Sequence, residues 1–111
     1  MLYGSMGGDG QPQTQAAIFI RHIQQGIPLQ QAITAPRWLL GRTWGQVSDT
    51  LKIEDRFKPA TVDALRQLGH DVELLSSFSE TVGHAGAIVR HTSGMLEGAF
   101  DPRSNGSAAG F

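Results

Sequence analysis

The segment that most restricts what this chain can fold into is its opening, Met-Leu-Tyr-Gly-Ser-Met-Gly-Gly-Asp-Gly. Glycine stands at positions 4, 7, 8 and 10, and a helix-forming run over residues 11–26 follows at once. Glycine inside regular structure costs roughly 0.5–1 kcal/mol relative to alanine. So dense a cluster reads as a turn that needs unusual backbone angles or a close approach. Gly7 and Gly8 are adjacent, so two consecutive amide N–H groups can point into one concavity. The helix behind them adds the positive end of its dipole. Such a loop suits an anion: a phosphate, a carboxylate, or charge that forms only during a reaction. The plainer alternative is a glycine-rich turn into a helix with no ligand.

Familiar glycine motifs do not fit. A phosphate-binding P-loop needs Gly-Lys-Ser/Thr at its end, but Gly10 is followed by Gln11 and Pro12, and the first lysine is Lys52. The dinucleotide pattern Gly-x-Gly-x-x-Gly is not matched, and three residues leave no room for a preceding strand. A serine nucleophile elbow around Ser5 would need glycine where Tyr3 stands. What remains is a backbone-donor site of the oxyanion-hole kind.

Composition narrows the partners. The net charge is −1 and the basic residues are scattered, which gives no electrostatic case for nucleic acid or an anionic membrane. There is no cysteine, so disulfides, zinc thiolates and thiol nucleophiles are excluded. No apolar stretch approaches the roughly 18 residues of a membrane span. The spacing of His84, His91 and Asp101 matches no zinc pattern, and no cofactor motif is present. The expectation is no metal, no cofactor, no nucleic acid and no membrane. The compartment, bacterial cytoplasm or periplasm, is left open.

Hydrophobic periodicity gives the elements. In residues 11–26, Ala16, Phe19, Ile20, Ile23 and then Ile27 recur at helical steps and predict one apolar face, with Gly26 as the left-handed cap. Residues 28–35 read as a short helix buried through Leu29, Ala32 and Ile33, and Pro36 stops it. Val47, Leu51 and Ile53 read as a strand. Residues from Pro59 to Gly69 read as a helix with Val62, Leu65 and Leu68 on one face. Val72 and Leu74 mark another strand. A hairpin turning at Gly94 closes the pattern. Helices and strands do not alternate regularly, so the fold class expected is α+β, with helices on one face of a mainly antiparallel sheet. Strands are few for a self-contained two-layer domain, so residues 1–111 read as a single partial domain. Asp9 is expected to cap the first helix. Arg37 and Arg103, each after a proline, could hold a carboxylate, but the expectation is a structural role for both, tying chain ends to carbonyls. Trp38 and Trp44 are expected to pack or to face a partner.

Several stretches together carry a resemblance. Gly-Ser-Met-Gly-Gly-Asp-Gly-Gln-Pro-Gln-Thr-Gln, Leu-Gln-Gln-Ala-Ile-Thr-Ala-Pro-Arg-Trp, Ala-Thr-Val-Asp-Ala-Leu-Arg-Gln-Leu-Gly-His-Asp-Val and the closing Gly-His-Ala-Gly-Ala-Ile-Val-Arg-His through Asp-Pro-Arg-Ser are collinear. They resemble the small subunit of γ-glutamyltranspeptidases, of a bacterial γ-glutamyltranspeptidase-like branch. The resemblance implies an N-terminal nucleophile hydrolase, an αββα sandwich in which a threonine freed by self-cleavage attacks a γ-glutamyl amide such as glutathione. The acyl group then passes to water or to an amino acid. It implies that Gly7 and Gly8 donate backbone hydrogen bonds to the oxyanion, and that Ser5 and Met6 shape the loop. The threonine nucleophile matches no position of this chain, which reads as the C-terminal part of a small subunit, inactive alone. The expected partners are the remainder of its own enzyme or further copies of itself, and a γ-glutamyl small molecule. The competing reading is a non-catalytic remnant or binding module that keeps the scaffold.

Overall fold

The computed structural model describes residues 1–110. The elements run β1 (Leu2–Met6), a 3-10 turn (Gly8–Gly10), α1 (Gln11–Phe19), a π-helical turn (Ile20–Gln24), α2 (Leu29–Thr34), β2 (Trp38–Leu40) and β3 (Leu51–Glu54). α3 (Pro59–Gln67), β4 (Val72–Leu75), a 3-10 turn (Glu80–Val82), β5 (His84–Arg90) and β6 (Leu96–Phe100) complete the chain. The class is α+β, and three of the four strand pairings are antiparallel. The strands form two three-stranded sheets, β1-β5-β6 and β2-β3-β4, rather than one. The single parallel pair, β3 with β4, is joined through α3.

The opening segment departs from expectation. Leu2–Met6 is a strand, antiparallel to β5, with Leu2 opposite Ile88 and Met6 opposite His84. Its partner lies some eighty residues downstream, so no local pattern reveals it. The glycine turn therefore does follow a strand. Strand β2 was also unforeseen. Val47, expected in a strand, is 94% exposed in the loop between β2 and β3.

One core cluster joins Ile18, Leu29, Ile33, Ala85, Ala87 and Ala99, with Tyr3 and Val89 against it. It lies between α1, α2 and the inner face of β1-β5-β6. A second joins Leu51, Ile53 and Val62, with Phe57, Leu65 and Val72, between α3 and β2-β3-β4. The predicted stripe of α2 is buried as read, with Leu29, Ala32 and Ile33 fully enclosed. The predicted stripe of α1 is not. Thr14 and Ile18 are buried, whereas Phe19, Ile20 and Ile23 are exposed. Among the described residues that face is covered only in part: the Tyr3 ring lies 6.2 Å from the Phe19 ring, centroid to centroid, and Ile20 and Ile23 stay exposed. Leu68 and Leu74 are exposed as well. The helix also widens to a π turn after Phe19, which rotates its last residues before Gly26 ends it at φ 68°.

This arrangement predicts a contrast. Ile18→Ala should cost about 2–5 kcal/mol through the cavity it leaves. Ile23→Ala should change stability by no more than about 0.5 kcal/mol. Urea unfolding of this chain compares the two.

Candidate active-site loop

The loop is built from the strand upward. β1 delivers the chain to Gly7, and a 3-10 turn carries it into α1 through Gly10 N–H to the Gly7 carbonyl at 3.0 Å. Gly7 has φ 151° and Gly8 has φ 54°, backbone angles that side chains disfavour. A Cβ on Gly7 would lie 3.0 Å from the Cα of Gly83, and one on Gly83 would overlap the Met6 carbonyl oxygen. Two backbone segments thus cross where neither tolerates a side chain. Among the described residues, the N–H groups of Gly7 and Gly8 find no acceptor, backbone or side chain. Two adjacent donors stand unspent at the head of a helix, which is the condition an anion needs.

Three contacts hold this loop. Thr43, 2% exposed, donates its hydroxyl to the Gly7 carbonyl at 3.2 Å. Thr14 of α1 donates to the Val82 carbonyl at 3.0 Å, fixing the segment that crosses Gly7. Arg37 donates Nη2 to the Gly83 carbonyl at 2.6 Å.

Arg37 belongs to a buried charge network. Its Nη2 also reaches Asp101 Oδ2 at 2.5 Å. Asp101 further accepts from the Ala85 N–H at 2.8 Å, from the Arg103 N–H at 3.0 Å and from Arg103 Nη1 at 3.0 Å. Arg103 extends Nε to Glu54 Oε1 at 2.7 Å and Nη2 to Glu54 Oε2 at 2.5 Å, a bidentate pair. It also donates to the carbonyls of Ile33 and Ala35. The Arg37 N–H and Arg56 Nη2 complete the Glu54 shell. Glu54 is on β3 and Asp101 follows β6, so the network joins the two sheets. Arg37 and Arg103 do tie chain segments to carbonyls, as expected. Their carboxylate partners, Glu54 and Asp101, were not foreseen.

Burial lowers the Arg37 guanidinium to about 10 against the raising pull of Asp101, and it stays charged at neutral pH. Burial works against the Arg103 charge as well, but the Glu54 hydrogen bond and the two carboxylate charges outweigh it and leave its pKa raised. Burial opposes ionised Glu54 too. The hydrogen bonds from Arg103 and from the Arg37 N–H overcome that and hold its carboxyl below the ordinary value.

The remaining predicted residues fall as follows. Ser5 lies in β1 and faces α1, with Oγ 3.5 Å from the Gln11 carbonyl and 3.4 Å from Gln15 Nε2. Met6 is on the opposite, half-exposed side. Asp9 does not cap α1. The cap position is Gly10, without a side-chain bond, because the 3-10 turn moves Asp9 outward to meet Arg42 Nε at 3.3 Å. Trp38 and Trp44 are both partly exposed. Asp101 is enclosed by arginines and His91 lies 2.9 Å from Glu97. Among the described residues no three His, Asp or Glu side chains gather as a metal site would require.

Comparison with known proteins decides the family. The family model for Gamma-glutamyltranspeptidase matches residues 1–111. The chain belongs to the gamma-glutamyltranspeptidase family. Over its full length it is 72% identical to the Oxamate amidohydrolase proenzyme of Klebsiella pneumoniae, of which it covers 21%. It is 46% identical over 99% of its length to the Glutathione hydrolase-like YwrD proenzyme of Bacillus subtilis, again covering 21% of that protein. The chain thus spans about a fifth of the length of these curated relatives. Among solved structures it resembles the cephalosporin acylase from Bacillus halodurans, with TM-score 0.84 and 30% identity over 96% of this chain and 19% of that one. Its architecture is a part of the N-terminal nucleophile hydrolase sandwich.

The lowered Glu54 pKa fixes an acid dependence for this gamma-glutamyltranspeptidase-family chain. An unfolded glutamate titrates near pH 4.3. The stability Glu54 contributes is complete above that value and is lost as pH falls through its lower folded value. Thermal unfolding across acid pH should steepen there, and Glu54→Gln should remove that part of the slope while lowering the melting temperature at pH 7.

Proposed function

We propose that this chain supplies the oxyanion loop of an N-terminal nucleophile amidohydrolase that cleaves a small amide. The observation that carries the reading is the pair of unspent donors on Gly7 and Gly8, held rigid at a helix start. Amide hydrolysis passes through a tetrahedral intermediate whose oxygen is negative. Two preset N–H groups stabilise that charge without reorganising, and removing such a donor typically costs about 10²–10³ in turnover. The nucleophile and base come from elsewhere in the enzyme, as a threonine whose own α-amino group takes the proton. Ser5 and Met6 set the entry into the loop. Identity of 72% to the oxamate amidohydrolase favours oxamate or a comparable small amide as substrate, with water as acceptor. A γ-glutamyl amide, with transfer to amino acids or hydrolysis, is the second reading, supported by 46% identity to the glutathione hydrolase-like protein.

The reading needs a partner for the outer face of β1-β5-β6. Leu2, Ile88 and Leu96 are exposed there at 77%, 50% and 66%. An open trough of about 1150 Å³ runs along this face beside Ala108 and Phe100, away from the glycine pair. We assign that face to the remainder of the enzyme. Without it, the isolated chain should self-associate through this face. Light scattering that shows a compact, monodisperse monomer would contradict this.

The catalytic assignment has its own test. In the mature enzyme carrying this segment, Gly7→Ala keeps its N–H, but its Cβ would meet the Gly83 Cα at 3.0 Å and turn the donor off the oxygen, so kcat for ammonia release from oxamate should fall by up to about 10²–10³ with little change in KM. A Gly7→Ala enzyme that stays folded and retains full turnover would return the loop to a purely structural turn. Faster turnover of a γ-glutamyl anilide than of oxamate would favour the second reading. No turnover of either by the wild-type enzyme would favour the non-catalytic scaffold.

A further inference from the structure

One peptide unit carries both a gripped carbonyl and a free donor. The Gly7 carbonyl and the Gly8 N–H belong to the same planar amide, so they point in opposite directions. That carbonyl accepts twice, from the Gly10 N–H at 3.0 Å and from the Thr43 hydroxyl at 3.2 Å. The bond from Gly10 lies within the turn and already satisfies the carbonyl. The bond from Thr43 arrives from thirty-six residues away and adds a second direction of restraint.

The flanks of this peptide give that second bond a task. Glycine on both sides leaves the torsions without side-chain restraint, and Gly7 and Gly8 stand at φ 151° and 54°. A peptide between two glycines turns over more readily than any other. Turned over, it presents a carbonyl oxygen where the N–H stood and repels the charge it should receive. Of the three side chains that hold the loop, Thr14 and Arg37 act on the crossing segment, at Val82 and Gly83. Among the described residues, only the Thr43 side chain bonds to a peptide that bears one of the two donors.

Thr43 is itself held fast. It is buried, and its own carbonyl takes the Gln46 N–H at 3.0 Å in a tight turn. The base of its loop is closed by the Gly41 N–H, which donates to the Thr50 carbonyl at 3.0 Å. Lys52 clamps the same base, its Nζ donating to the Gly41 carbonyl, Ser48 Oγ and Thr50 Oγ1, each at 2.9 Å.

We propose that Thr43 is a positioning residue for catalysis: its hydroxyl keeps the Gly7–Gly8 peptide from turning over and so aims the Gly8 N–H at the oxyanion. This rests on the amidohydrolase reading above. A donor on the carbonyl also polarises the amide, which strengthens the N–H on its other side. Thr43 acts through the peptide and touches no reacting atom.

The test uses the mature enzyme with Thr43→Val, which removes the hydroxyl and keeps the shape, and Thr43→Ser, which keeps the hydroxyl. The probe is oxamate, or a γ-glutamyl anilide if that is the amide the wild type turns over. Thr43→Val should lower kcat about ten- to a hundredfold, less than outright loss of a donor, with KM within about twofold. Thr43→Ser should keep kcat within about threefold of wild type. A hydroxyl that only supports the fold would lower the melting temperature of Thr43→Val and leave the kcat of the folded enzyme unchanged. That result, a loss confined to KM, or an equal loss in Thr43→Ser overturns the steering role and leaves the glycine donors standing. Should Thr43→Val not fold, the crystal structure of the wild-type mature enzyme decides. The Thr43 hydroxyl should remain on the Gly7 carbonyl, with the Gly8 N–H free of protein acceptors and facing the nucleophilic threonine. A Gly7–Gly8 peptide turned the other way, with its carbonyl off Thr43, overturns the proposal. A wild-type enzyme that turns over neither amide overturns both readings.

Discussion

The carboxylate of Asp101 is the hinge of this structure. It accepts from Arg37, Arg103 and the Ala85 amide in a space that excludes water. Through Arg103 it connects to Glu54 and so to the other sheet. Through Arg37 it fixes the Gly83 carbonyl, and Gly83 is the backbone against which Gly7 lies. Buried charges are expensive unless each is paired and hydrogen-bonded. Here both oxygens of Glu54 and of Asp101 are hydrogen-bonded, while Arg37 Nε and Nη1 are buried without a partner among the described residues, and the network acts as a strut between two small sheets.

That strut explains how so short a chain holds a loop with few contacts of its own. Apart from Asp9, which turns outward to Arg42, the glycine turn has no side chains to pack. Its position comes from three hydroxyl or guanidinium donors that reach it from α1, from the β2–β3 loop and from the residue preceding β2. All three donate to carbonyls, which leaves the amide side of Gly7 and Gly8 free. In the function proposed above, that free side is what receives the negative charge. The link from sequence to chemistry thus runs through backbone atoms, with side chains acting as supports.

Much of this was legible in the sequence. The proline-flanked arginines pointed to structural ties, and Leu29, Ala32 and Ile33 to a buried face. What was not legible shares one physical cause, long-range pairing. β1 exists because β5 arrives beside it, and β2 because β3 does. Glu54 lies in a run that reads as an ordinary charged strand end, yet it is fully buried because Arg103 meets it from forty-nine residues away. Thr43 sits in a polar loop with no local sign of burial. The α1 stripe failed in the opposite sense: its helix formed, but among the described residues Ile20 and Ile23 stay exposed and Phe19 meets only the Tyr3 ring.

The central claim is that the amides of Gly7 and Gly8 converge on one negatively charged oxygen. It is tested most directly by a crystal structure of the mature enzyme trapped with an analogue of the tetrahedral intermediate. The account predicts the analogue's oxygen at about 2.7–3.1 Å from both nitrogens. An oxygen held by other donors, with both nitrogens beyond hydrogen-bonding distance, would contradict it.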